Sequence, residues 1–561
     1  MSGTIAVNPI KSGFYPDPSI CRVGESFYLV NSSFAYFPGV PIFRSKDLAH
    51  WEQIGNILDR ESQLPLEGCG HSAGIYAPTI RYYDGTFYMI TTNVSGGGNF
   101  IVTAERPEGP WSEPYYLGDE APGIDPSLFF DEDGTCYYCG TRPNPEGVRY
   151  NGDWEIWVQK LDLQTMKLVG ESKKIWKGAM KDVIWPEGPH LYKRNDWYYV
   201  MHAEGGTGPD HCVAIARSKS ITGPYEGYPS NPVVTHRHLG AAYPIRYVGH
   251  GDLVEVPWEL TASGKQQKAT GEKAEDQPQE SKWYMVMLAS RPCEGYTNMG
   301  RETFLAEVVW ENDWPVVNPG IGKLTDTVNI DMEPVLLEPE PVTYHFNGGQ
   351  LPYAFLHLRN PKENLYSLRE REGYLRLHLQ PETLKELGSP AYVCLRQCHF
   401  NFVSSAMFEF QPQNENEVAG IALMQSNQFH LRVEIGDFEN NGSLSVKAVF
   451  AYTQPIEGEI NGNDRILPIE ERIEAVKGLG QKSEIRRIFL KLVCRGQKAW
   501  IYAAINEEKY SLVVGELPIW ELSTEVAGGF VGNTVGMYAS ANGVESANHA
   551  DFGWFSYEEG K

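Results

Sequence analysis

Three carboxylates stand at matching points of a recurring phrase: Asp17 in YPDPS, Asp125 in GIDPS and Glu187 in PEGPH. Two carboxyl groups with separated pKa values suit glycoside hydrolysis, one protonating the leaving oxygen while the other activates water. A third can hold the donor in place and keep it protonated by its own charge. One Asp-Pro-Ser commonly does no more than cap a turn. Acid at the same point of three repeats is different, because like charges raise one another's pKa and a purely structural scaffold gains nothing from that arrangement.

The recurring phrase must also place these groups. Its copies begin DPSICRVGESFYLVNSS at Asp17, APTIRYYDGTFYMITT at Ala77, DPSLFFDEDGTCYYCGT at Asp125, EGPHLYKRNDWYYVMHAEGG at Glu187 and HGDLVEV at His250, 48 to 63 residues apart. Asp84-Gly85, Asp133-Gly134 and Asn195-Asp196 fall where hairpin turns need them. Five small antiparallel sheets that cannot each bury both faces predict an all-β, five-bladed β-propeller over residues 1–330. The innermost strand of each blade starts at the central axis, so Asp17, Ala77, Asp125, Glu187 and the neighbourhood of His250 should converge there. The polar stretch TASGKQQKATGEKAEDQPQE (261–280) reads as an exposed, mobile insertion between two strands of the fifth unit. A Pro- and Glu-rich linker is expected about 325–342. The remainder of 331–561 alternates with period two, as in YLRLHLQ, FHLRVEI and AWIYAAI, and predicts a β-sandwich.

Composition narrows the partners. Lys+Arg 48 against Asp+Glu 72 gives a net charge of -24, which disfavours nucleic acid and anionic membranes and suits a small neutral or cationic substrate. No apolar run approaches the roughly 18–20 residues of a membrane span. The start, MSGTIAVNPIKSGFYPDPS, shows no apolar signal region, so a cytoplasmic location is expected. Of the many aromatics (Trp 14, Tyr 31, Phe 23), most should pack blades. Phe34, Tyr36, Phe37 and Tyr76 are read as loop residues beside the hub, with Phe34 and Tyr76 the candidates to stack on a sugar ring. The nine dispersed cysteines read as free buried thiols; Cys136 and Cys139 of the single CxxC point to opposite faces of a strand, which suits neither zinc nor redox work. Gly70-His71-Ser72-Ala73-Gly74 fits the nucleophile-elbow pattern, but a proline and a strand hairpin follow it where a helix is needed. Ser95-Gly-Gly-Gly-Asn99 reads as a hairpin tip.

The segments NPIKSGFYPDPSI, FAYFPGVPIFRSKDL, GIYAPTI, GIDPSLFFDEDG, WPEGPHLY, HAEGGTG, GHGDLVE and MGRETFLAEV resemble glycoside hydrolase family 43, in particular its two-domain β-xylosidase and α-L-arabinofuranosidase branch. The resemblance extends over nearly the whole chain and implies an inverting, exo-acting enzyme on a short oligosaccharide. By motif, Asp17 matches the general base, Glu187 the general acid and Asp125 the residue that orients the acid and raises its pKa. Inversion implies about 6.5–9.5 Å between acid and base, leaving room for water. Arg301 in GRET matches a substrate-binding arginine, and Thr207 in EGGT and His250 in GHGD match positions near the sugar. Tyr76 stands where many xylosidases of this branch carry tryptophan. An aromatic from a sandwich loop closes the pocket in those enzymes; GGFVGNTVGMYA offers Phe530, with Thr534 in an alternative register. The resemblance implies no required cofactor and assigns no metal ligand set. It admits a structural or activating Ca2+, with His250 binding sugar or water around a hub cation, and leaves a homo-oligomer open. A non-catalytic sugar-binding propeller is the rival from another class.

Overall fold

The computed structural model describes residues 3–270, 280–454 and 467–560. Five antiparallel sheets follow one another along the chain, each opening on an inner strand: Ser19–Val23, Thr79–Tyr83, Ile124–Phe130, Glu187–Arg194 and Arg246–Val256. These are the five blades. Asp84 and Asn195 adopt left-handed φ values of 45° and 54°, the conformation that two-residue hairpin turns demand. Apolar clusters lie between neighbouring sheets, so each blade buries against the next. The two cysteines of the CxxC show the alternation of a strand: Cys136 packs with Tyr88, Ile90 and Trp157, and Cys139 packs with Ile156, Leu191 and Val200 on the other side. All nine cysteines are free.

The ring is tied shut by an antiparallel pair, Thr4–Val7 with Thr327–Ile330. The first residues of the expected linker are therefore a strand that completes the propeller, and residues 333–342 form neither helix nor strand. The start of the polar insertion is ordered too. Ala262–Thr270 is a helix whose first turn is held when Asp331 accepts hydrogen bonds from the Ala262 and Ser263 backbone amides. Residues 271–279 of that insertion lie outside the described residues.

Beyond this point two eight-stranded sheets pack face to face, and their inward residues (Leu377, Phe408, Ile421, Leu490, Val535 and Phe552 among them) form one dry core. Tyr36–Phe37, placed beside the hub by the sequence, is instead a short strand at the edge of a sandwich sheet, where it pairs with Leu356–Leu358. The Tyr36 ring is fully buried and its hydroxyl meets His71 and Thr534. A mixed cluster that includes Phe14, Phe34, Tyr36, Leu356, Tyr392 and Tyr538 joins the two domains across a shared apolar boundary. Among the described residues no helix is long and apolar enough to cross a membrane.

Candidate active site

At the hub the inner strands begin with a kink that repeats from blade to blade. Asp17 and Asp125 share a φ of 52°, His250 has 49° and Gly188 has 56°. Left-handed backbone at residues other than glycine is strained and clusters at functional sites. The pairing register also shifts between Ile124 and Ser127, between Glu187 and His190, and between Gly249 and Gly251. Such bulges re-aim side chains, here toward the axis. Glycine is required at 188, because a Cβ there would lie 2.6 Å from the His250 ring.

Asp17 is buried and has the best-furnished surroundings. Its Oδ1 accepts a hydrogen bond of 3.0 Å from Arg301 Nη1, and its Oδ2 accepts one of 2.6 Å from the Ser32 hydroxyl. His250 Nδ1 lies 3.8 Å from Oδ1. Burial alone would raise this carboxyl, but the Arg301 charge, His250, the Ser32 bond and His211 outweigh it and hold the pKa below the ordinary value. Asp17 is therefore ionised at neutral pH.

The other two acids are displaced in the opposite direction. Burial raises Asp125 to about 6; His250 opposes the shift, the Asp17 charge adds to it, and the Gly188 amide, 3.1 Å from Oδ2, opposes it again. Glu187 is pushed well above its ordinary value by burial, then by the charges of Asp125 and Asp17. One carboxylate accepts protons and one carboxyl holds one, within a single hub. As pH rises through about 6, Asp125 ionises and its charge lifts Glu187 further, which keeps the donor protonated.

Arg301 does not pair with its neighbour Glu302, which instead binds Arg291 at 2.7 Å. The Arg301 guanidinium reaches Asp17, Thr207 Oγ1 at 3.4 Å and the Phe530 carbonyl at 3.4 Å. It also lies over the rings of Phe34 (5.8 Å) and Phe530 (5.4 Å). Phe34, Tyr76 and Phe530 form an aromatic corner, with ring centroids 6.0 Å apart for Phe34–Tyr76 and Tyr76–Phe530, and 6.4 Å for Phe34–Phe530. Phe34, expected from the sequence to stack on a sugar, is 1% exposed and instead backs the other two rings. The sandwich thus contributes Phe530 to the hub. Its amide donates to Ser72 Oγ, the serine of the elbow-like motif, which sits in a turn and holds this loop. Thr534, the alternative, is fully buried between the hydroxyls of Tyr36 and Tyr392, away from this corner.

His211, in no motif singled out from the sequence, is buried beside Asp17. Its Nδ1 must donate to the Tyr247 carbonyl at 2.9 Å, leaving Nε2 as a bare acceptor. Burial, with His250 and Arg301 adding to it, pulls its pKa to about 4, so the ring is neutral. The signal available in the sequence was its place in the blade IV hairpin, four residues after Thr207. Among the described residues no three His, Cys, Asp or Glu side chains come together as a metal cradle. A separate groove of about 660 Å3 on the sandwich, around Phe489, Tyr510 and Trp554, contains none of the three acids.

Residues 6–262 match the profile of glycosyl hydrolases family 43, and residues 343–558 match a β-xylosidase C-terminal concanavalin A-like domain. A xylosidase/arabinosidase of Butyrivibrio fibrisolvens is 51% identical over 561 residues, 99% of each chain. A non-reducing end α-L-arabinofuranosidase of Bacteroides ovatus is 37% identical over 558 residues, 98% of this chain and 94% of that one. The crystal structure of a xylan β-1,4-xylosidase from Bacillus halodurans superimposes with a TM-score of 0.86 at 32% identity, covering 99% of this chain and 100% of the other. With a propeller hub of three acids, a sandwich packed against it and this similarity along its whole length, the chain belongs to glycoside hydrolase family 43.

Proposed function

We propose that the protein is an inverting exo-glycosidase that releases β-xylosyl units, and α-L-arabinofuranosyl units in the same pocket, from the non-reducing ends of short oligosaccharides. The observation that carries this reading is the single guanidinium at Asp17: Arg301 fixes that acid as the anion while Glu187, raised by burial and then by the charges of Asp125 and Asp17, keeps its proton. Asp17 then takes a proton from water as the water oxygen bonds to the anomeric carbon. Glu187 gives its proton to the departing glycosidic oxygen as the old bond breaks. One water is consumed and two hydroxyl groups form. The negative charge left on Glu187 is disfavoured by Asp125 and Asp17, so the donor regains its proton readily.

The substrate class follows from the walls. Tyr76 and Phe530 offer ring surface to one sugar, with the buried Phe34 packed behind them, and Arg301 and Thr207 offer polar groups to its hydroxyls. A β-xyloside and an α-L-arabinofuranoside present nearly superimposable hydroxyls to such a corner. The names of the relatives, one bearing both activities and others a single one, support the same reading. The chemistry as proposed needs no cofactor.

The test is parallel kinetics on aryl β-xyloside and aryl α-L-arabinofuranoside, with the anomer of the first-formed xylose read by proton NMR. Turnover of both with α-xylose formed first is expected. First-formed β-xylose would contradict inversion, and sugar binding without turnover of either substrate would support a binding propeller instead.

A further inference from the structure

Arg396 ends the sandwich strand Ala391–Arg396, yet its side chain serves the propeller. It is 3% exposed, and its Nε donates a hydrogen bond of 3.0 Å to the Phe14 carbonyl, three residues before Asp17. The guanidinium lies over the rings of both Phe14 (4.6 Å) and Tyr15 (4.4 Å). Nη1 and Nη2 are buried and make no well-formed hydrogen bond, the Tyr15 side chain being their polar neighbour, and among the described residues no carboxylate forms an ion pair with this charge. A buried arginine without a carboxylate is expensive, and here the Phe14 hydrogen bond and the two ring contacts are what offset that cost.

What it holds is narrow. The chain Phe14-Tyr15-Pro16 runs directly into Asp17. On the propeller side it is fixed by Asn31, whose amide donates to the Tyr15 and Pro16 carbonyls, and by Thr303, whose hydroxyl donates to the Tyr15 carbonyl. On the other side the next residues of the Arg396 strand press against it. A Cβ on Gly13 would come within 2.9 Å of the Gln397 carbonyl, and the Ser12 hydroxyl donates to the Cys398 carbonyl. The segment bearing Asp17 is thus gripped between two domains, with Arg396 supplying the hydrogen bond and the ring contacts on the sandwich side.

We infer that Arg396 is a positioning residue for Asp17, so that the sandwich sets the geometry of water activation as well as the aromatic wall. The inference rests on the reading of Asp17 as the base. Water attack is sensitive to placement: a displacement of about 1 Å can cost on the order of 100-fold in rate. Arg359 is a useful contrast, being equally buried at the domain boundary. Its Nε donates to the Cys69 carbonyl and Nη1 to the Gly388 carbonyl, so it grips the loop that carries Ser72 and the Phe530 contact. Its loss should act on sugar binding.

The experiment uses 2,4-dinitrophenyl β-xyloside, whose leaving group needs no proton, with and without sodium azide. Azide attacks the anomeric carbon without being deprotonated, the phenolate departs, and a glycosyl azide forms in place of xylose. Asp17→Ala is the control for the base: it should be slow in water and restored by azide, and a failure of that control alone refutes the base assignment. Arg396→Met should lower kcat at least about tenfold with KM within about twofold of wild type. Arg396→Lys, which keeps the charge but loses the Nε bond, should show a smaller drop, and it carries the test if the methionine variant does not fold. Either substitution added to Asp17→Ala should leave the azide-supported rate within about twofold of Asp17→Ala alone, because the group it positions is already gone. Arg359→Met should raise KM. Wild-type kcat in Arg396→Lys, a further loss of about tenfold when an Arg396 variant is added to Asp17→Ala in azide, or the same kcat loss at unchanged KM in Arg359→Met would overturn the inference.

Discussion

Two polar layers lie on the propeller axis, a couple of residues apart along the same strands, and they are built on opposite principles. The upper layer holds Asp17, Asp125 and Glu187 around one guanidinium, that of Arg301. The lower layer holds one carboxylate, Asp252, and surrounds it completely. Arg81 binds it through both Nη atoms at 2.8 and 3.1 Å, Tyr192 donates at 2.6 Å, Ser19 Oγ donates at 2.8 Å and the Ile20 amide at 3.0 Å. Asp252 is accordingly held far below the ordinary carboxylate range: burial opposes ionisation, but Arg81, His190 and the Tyr192 bond prevail. Strands from blades I, II, IV and V meet in this cluster. A satisfied buried charge fixes a structure; an excess of charge two residues away creates groups poised to move protons.

The largest effect should come from breaking the upper layer at its only lowered acid. Asp17→Ala should reduce kcat by about 10²–10⁴ on every substrate in the absence of azide, as read by steady-state kinetics. The opposite pattern should follow in the lower layer. Arg81→Met strands Asp252 as an unpaired buried charge and should cost about 3–5 kcal/mol of propeller stability, measured by denaturant unfolding. Asp125→Asn sharpens the comparison through pH. Removing its negative charge lowers the pKa of Glu187, so the alkaline limb of kcat/KM should move to lower pH. Arg301→Gln should do the converse at the other end, since losing the cation raises Asp17 and shifts the acid limb to higher pH.

The difference between the layers also explains what could be read from the chain beforehand. The upper acids recur at the same point of a repeat, and a propeller brings equivalent points together, so the repeat alone located them. The lower layer was present in the quoted segments APTIRYYDG and HGDLVEV, as Arg81 between Ile80 and Tyr82 and as Asp252 before Leu253. Nothing local shows that these two, 171 residues apart, share one site. The same limit hid the strand Tyr36–Phe37, whose partners are at Leu356–Leu358, and the reach of Arg396 to Phe14. Phe530 was legible only as one of two registers, because the choice against Thr534 depends on which side chain the Tyr36 and Tyr392 hydroxyls enclose.

The central claim is that Glu187 carries the proton and Asp17 accepts one. It is tested most directly by measuring kcat/KM for Glu187→Ala and Asp17→Ala over a series of aryl β-xylosides whose phenols range from weakly to strongly acidic. The geometry predicts that Glu187→Ala is crippled on poor leaving groups and recovers toward wild type as the phenol becomes more acidic, while Asp17→Ala stays slow throughout. Recovery in Asp17→Ala with none in Glu187→Ala would reverse the assignment and contradict the account.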